Sequence, residues 1–178
     1  MRAAWYGVLA QAAVGFEPDP PPPPEPVIVY GIVDPDTAGG EAVLLSTTSG
    51  WAFTVGGSAL RVDRLRLRMP AAATELVALW RSSDSTKLAE VEISTSAADT
   101  WAEVELEAPL ELGIGAAYVV AHRHPSGSSR NIYRGGSPVF DSALAYVETR
   151  FGTGSAYPAS VSTAGIRTGA DLGFEVLA

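Results

Sequence analysis

Two short runs constrain this chain more than anything else in it. Arg64-Leu65-Arg66-Leu67-Arg68-Met69 alternates cationic and apolar residues, and Ala102-Glu103-Val104-Glu105-Leu106-Glu107 alternates apolar and anionic ones. A strict period of two sends one side of an extended strand into a core and the other into water, whereas a helix would scatter the same residues round its circumference. Both runs lie in a longer stretch, Leu60 to Ala121, that reads as consecutive β-strands. If the two runs share a sheet face, Arg64, Arg66 and Arg68 pair across strands with Glu103, Glu105 and Glu107. Each such pair is worth about 0.2–1 kcal/mol.

The remaining segments extend this reading. Val27 to Val33 is an apolar, β-rich run closed by the turn Asp34-Pro35-Asp36. Ala42 to Leu45 and Trp51 to Val55 read as short strands around a turn at Ser46-Thr47-Thr48-Ser49-Gly50. Leu60 and Val62 share one parity while Leu65, Leu67 and Met69 take the other, so the slip at Asp63-Arg64 predicts a bulge or a break. Thr74 to Arg81 is apolar on both parities and predicts a strand covered on both faces. Lys87 to Ser94 returns with Ala89, Val91 and Ile93 inward, and Ala116 to His122 is again heavily apolar. Arg130 to Arg134 reads as a short strand and residues 149 to 170, rich in Gly, Ser and Thr, as looser chain. Asp171 to Leu177 reads as a closing strand. Strands recurring at this spacing, with turn residues between them, predict an all-β antiparallel sandwich over residues 27–178.

The front of the chain is different in kind. Between residues 3 and 14, Trp5, Val8, Leu9 and Ala12 recur at spacings of three and four, with Phe16 a turn further on. That stripe predicts a short helix over residues 1–16, stopped near Gly15. A helix of this length barely holds in water by itself, so its apolar face needs a groove, either on another chain or, folding back, on its own domain. Trp5, Tyr6, Val8, Leu9 and Phe16 are the candidate docking residues. Met1-Arg2, the apolar run and Ala10-Gln11-Ala12 also carry a faint likeness to a signal peptide, which Trp5, Tyr6, Gly7 and Gln11 interrupt. Residues 17–26 are dominated by proline and predict a polyproline II spacer. At about 3.1 Å per residue, the stretch from Pro18 to Pro26 holds its flanking pieces roughly 25–30 Å apart.

Composition narrows the chemistry. The 178 residues carry a net charge of −8, against a nucleic-acid partner, which calls for a basic face. There is no cysteine, hence no disulfide framework, thiolate nucleophile or Cys-based zinc site. No apolar run approaches the length that spans a bilayer, so no membrane insertion is expected. His122 and His124 could supply two metal ligands, but no third is evident and they read as structural or solvent-facing. The glutamates of the 102–107 run read as solvated, not as a glycosidase pair. No Gly-x-Ser-x-Gly elbow and no phosphate-binding Gly-Lys-Ser/Thr occurs. No enzyme activity and no cofactor is therefore expected. Trp51, Tyr133, Tyr146 and Tyr157 fall in or near expected loops, where aromatic rings can stack on sugars or simply pack small cores beneath the loops.

Trp51-Ala52-Phe53, Leu79-Trp80, Thr100-Trp101, the run Gly115 to Val120 and Asp171-Leu172-Gly173-Phe174 occur in an order and spacing that carry a resemblance. From Trp51 onward the chain resembles a family of jelly-roll β-sandwich domains of unknown function found in bacterial surface and carbohydrate-associated proteins. The resemblance implies a jelly-roll-like fold and, by analogy with companions in that family, contact with glycans. The helix and proline rod lie outside such a domain. Together with the sandwich they resemble the layout of accessory virion proteins of tailed phages, anchored at one end and displaying a β-domain. That layout implies a minor tail or head-decoration component, present in multiple copies or as a homo-oligomer beside other virion proteins, with a host surface glycan as a further partner. The alternative is a carbohydrate-binding module of a secreted or cell-surface protein.

Overall fold

The computed structural model describes residues 22, 26–35, 40–43, 47–123, 130–133, 138–162 and 169–178. The expected N-terminal helix, with Trp5, Tyr6, Val8, Leu9 and Phe16, lies outside the described residues, as do most of the proline run and His124.

The described residues form strands and connecting turns, with no helix among them. In chain order the first strands are β1 (Val29–Tyr30), β2 (Ile32–Asp34), β3 (Gly40–Val43), β4 (Thr47–Val55) and β5 (Leu60–Arg68). They are followed by β6 (Ala73–Arg81), β7 (Thr86–Thr95), β8 (Trp101–Leu112), β9 (Ala117–Arg123) and β10 (Arg130–Tyr133). Last come β11 (Val139–Phe140), β12 (Leu144–Thr153), β13 (Ser160–Ser162) and β14 (Ala170–Val176). A four-stranded sheet has the order β1-β14-β5-β8 and a six-stranded sheet the order β13-β12-β4-β9-β6-β7. Two short ladders, β10-β3 and β11-β2, complete the pairing, and every pair is antiparallel.

The two larger sheets share one core, which makes the fold sandwich-like. Leu60, Val62, Leu65, Leu67, Leu172 and Phe174 come from the smaller sheet, and Trp51, Phe53, Val77, Leu79, Tyr118 and Val120 from the larger. The expected slip at Asp63-Arg64 is a bulge: β8 and β14 both shift register between Val62 and Arg64. The extra residue re-phases the strand, so Leu60 and Val62 before it and Leu65 and Leu67 after it all face inward. Strand β6 is covered on both sides over residues 77–80 as its sequence predicts. On the outside Ala52, Ala78, Trp80, Val119 and Ala121 form a second small cluster, with Tyr157 against it.

Two expectations change. The Ser46–Gly50 turn gives way to strand from Thr47 onward, because β4 is one nine-residue strand running through Gly50 and Trp51. Its polar residues are buried with partners of their own: the Thr48 hydroxyl donates to the Gly154 carbonyl at 2.5 Å. The loop expected from residue 149 also yields in part, since β12 continues to Thr153 beside β4 and β13 adds to its other edge.

Candidate functional site

Strands β7 and β8 are the terminal strands of their respective sheets, and the sandwich is open between them. The opening is a groove of about 640 Å³. Leu88, Val91, Val104, Leu106 and Leu110 supply its apolar lining, and Glu90, Glu92, Glu105 and Glu107 its polar one. The alternation seen in sequence explains this directly. The even residues of the Glu-bearing run point inward but lie at an edge, so they are only half covered.

Charge in the groove is partly compensated. Lys87 Nζ lies 2.6 Å from Glu90 Oε2, and the Arg64 guanidinium reaches Glu103 at 2.8 Å and Glu105 at 3.3 Å. Among the described residues no cation pairs with Glu92 or Glu107. The ladder of β8 is itself interrupted: Arg64 stands opposite Glu105 and Val62 opposite Leu110, so Leu106 to Pro109 bulge away from β5. Proline in that bulge has no N–H to offer a further strand.

Among the described residues the expected Arg–Glu face is realised through Arg64, which meets Glu103 and Glu105. Arg68 approaches Asp99 at 3.4 Å, and Arg66 turns to a partner that no local pattern announces. Its Nε donates to Asp171 Oδ2 at 2.8 Å and its Nη2 to the Ile32 carbonyl at 2.6 Å, while the Ile32 N–H donates to Asp171 Oδ2 at 3.0 Å. The guanidinium carbon lies 3.8 Å from the centre of the Tyr30 ring and 4.0 Å from that of Trp101, an aromatic clamp on both sides of the cation. Burial holds the Asp171 carboxyl above its ordinary value, against the lowering effect of Arg66 and of backbone N–H groups. Burial and the Glu103 carboxylate, which accepts the Tyr30 hydroxyl at 2.8 Å, likewise raise Tyr30. The cluster is a structural tie: it fastens β2 to the smaller sheet where β1, β14, β5 and β8 lie side by side.

A second buried polar group closes one end of the core. Ser49, His122 and Glu75 sit on the adjacent strands β4, β9 and β6, with Ser49 directly opposite His122. Glu75 Oε2 is 3.7 Å from His122 Nδ1, longer than a hydrogen bond. These residue types in this order evoke an acyl-transfer triad. At 1%, 3% and 1% exposure they are sealed from solvent and substrate. His122 is thus a core histidine. Among the described residues no group of three His, Cys, Asp or Glu could hold a metal ion.

Trp51 and Tyr146 lie against the main core and Tyr157 in separate surroundings. Trp51, expected near a loop, lies within β4 with no exposed surface, and its Nε1 donates across the sandwich to the Ala170 carbonyl at 2.8 Å. Its ring is covered by Phe53 and Phe140, with centroids at 5.1 and 4.7 Å, so it has no face left for a sugar. Tyr146 stacks on Phe140 at 5.2 Å and its hydroxyl meets the Thr149 hydroxyl at 3.1 Å. Tyr157 lies on the opposite face of the larger sheet, half-buried on the outer apolar cluster. Arg150, whose Nη1 donates to the Ala159 carbonyl at 2.8 Å, stands 5.9 Å over its ring. Tyr133 has its backbone in β10, opposite Gly40.

Sequence reasoning named the glutamates but missed the groove, because two strands being terminal on the same side is a property of topology. No protein-family model and no curated protein matches this chain.

Proposed function

We propose that this chain is a non-enzymatic accessory protein of a tailed-phage particle, a minor tail or head-decoration component. It docks through residues 1–16 onto other virion proteins and displays the sandwich outward in multiple copies. The observation that carries this reading is a division between core and lead-in. The core is assembled from strands that begin at Val29, whereas Pro22, Pro26 and Val27 stand exposed, Val27 at 77%. A proline-dominated lead-in of this composition, with Pro22 and Pro26 exposed, is suited to holding the fold away from an anchor.

The jelly-roll reading belongs here too. Taking β1, β4, β5, β6, β7, β8, β9 and β14 as eight principal strands, their orders β1-β14-β5-β8 and β4-β9-β6-β7 follow the pattern of two interleaved Greek keys. In that reading β10 to β13 form an insertion before the last strand.

Deletion of residues 1–16 tests the docking role. The truncated protein is expected to keep its β-sheet circular dichroism and cooperative unfolding but to be lost from purified particles. Undiminished incorporation would overturn the proposal. The alternative, a carbohydrate-binding module of a secreted or cell-surface protein, draws on Tyr133 and on Tyr157, a half-buried ring on the outer apolar cluster of the larger sheet. Selective glycan-array binding abolished by Tyr157→Ala would favour it.

A further inference from the structure

We propose that the groove between β7 and β8 takes up an extended segment of a partner protein, one that alternates basic and apolar side chains and adds as a strand to the free edge of β7. This goes beyond the docking role of residues 1–16 and uses a different surface.

Three observations converge on this occupant. Among the described residues no strand pairs with the outer edge of β7, so beyond its bulge at Leu88 the regular part of the strand, residues 89–95, presents alternate backbone N–H and C=O groups to a further strand. The corresponding edge of β8 is spoiled by the Leu106–Pro109 bulge, which leaves β7 as the receptive one. A strand laid on β7 would point every second side chain inward, over the half-covered Val91, Val104 and Leu106. The intervening side chains would point outward beside Glu90 and Glu92, where Lys or Arg makes the favourable cross-strand pair.

Charge decides who the occupant is. A second copy offering its own β7 or β8 edge would set glutamates against glutamates, which is destabilising. An acidic or neutral strand would leave Glu92 and Glu107 uncompensated in a partly desolvated groove. A basic, alternating strand satisfies the backbone edge, the apolar floor and the carboxylates together, which is the logic of strand addition to an exposed sheet edge.

The test is an amide NMR titration of the full-length protein with a synthetic eleven-residue peptide alternating valine with lysine and threonine. Shifts are expected in residues 86–95 and along the groove-facing part of β8. Glu90→Lys with Glu92→Lys should weaken binding at least tenfold. The remote pair Glu148→Lys with Glu175→Lys should leave it within twofold, and a peptide with glutamate in place of lysine should not bind. Absence of binding overturns the proposal. So do shifts spread over the acidic surface, equal loss in both double variants, or unchanged binding by a peptide N-methylated along one edge. If sedimentation shows that the protein alone self-associates and the Glu90→Lys/Glu92→Lys variant does not, the occupant is a second copy and the proposal fails in favour of that one.

Discussion

Arg66 shows how a single side chain can do several jobs that the surrounding pattern does not advertise. In sequence it is the middle cation of an alternating run; in space it neutralises a carboxylate with no exposure and fills the gap between two aromatic rings. Arg66→Met should therefore cost about 3–5 kcal/mol in urea denaturation, because it strands the Asp171 charge in the interior. Arg66→Met with Asp171→Leu should recover roughly half of that loss and no more, since the Ile32 N–H and carbonyl then lack partners. Strictly additive costs would show that the two residues act separately. The carboxyls also separate by pH. Asp84, ion-paired to Arg81 at 2.7 Å and accepting the Thr86 N–H at 3.1 Å, is held well below the ordinary carboxylate range, chiefly by the Arg81 hydrogen bonds. Its contribution to stability is present above the unfolded value near 3.9 and is lost as pH falls through the folded one. For Asp171, which burial raises, the sign reverses: its contribution is full below the unfolded value and declines as pH rises through the folded one. A carboxyl ¹³C titration should place the Asp84 midpoint below, and the Asp171 midpoint above, an exposed aspartate.

Among the elements, β4 carries the strictest steric demand. Gly50 faces Ala121 in the register with β9, and a Cβ there would stand 2.0 Å from the Val120 carbonyl oxygen and 2.4 Å from Ala121 Cα. Both are backbone atoms, so Gly50→Ala must force the central strands apart. A loss of about 3 kcal/mol or more is expected by thermal or urea unfolding. Gly57, with nothing within 4 Å of a built Cβ, gives the contrast: Gly57→Ala should be neutral or stabilising by about 0.4–1 kcal/mol. This strand also marks how far the fold is legible in sequence. Period-two segments such as Arg64–Met69 disclose strand, face and even the bulge at Asp63-Arg64, because solvent and core select residue types one position at a time. Thr47 to Gly50 reads as a turn by the same logic, since its polar and glycine residues are chosen by neighbours 71 to 106 residues away: His122 opposite Ser49, Ala121 opposite Gly50 and the Gly154 carbonyl on Thr48. The Arg66–Asp171 pair, 105 residues apart, and the groove between β7 and β8 are hidden for that reason. They arise from which strands become neighbours, which local composition does not encode.

As a whole, the molecule is asymmetric about its core. On one side β2 pairs with β11, and the Gly31 carbonyl accepts the Asp141 N–H at 2.9 Å, so short segments cover the sandwich; on the other, β7 and β8 leave it open. Strand β1, ahead of which Pro26 and Val27 stand exposed, leads directly into that covered side. Strand β1 meets β14 through just two residue pairs, Val29 with Phe174 and Tyr30 with Gly173. Any pull transmitted along the prolines falls first on those pairs and then on Ile32, whose N–H and carbonyl are gripped by Asp171 and Arg66. In the proposed anchored arrangement, load arriving through residues 17–26 would thus be borne by two side chains 34 and 139 residues beyond Ile32, and a lesion at either would loosen the leash while leaving its own sequence intact.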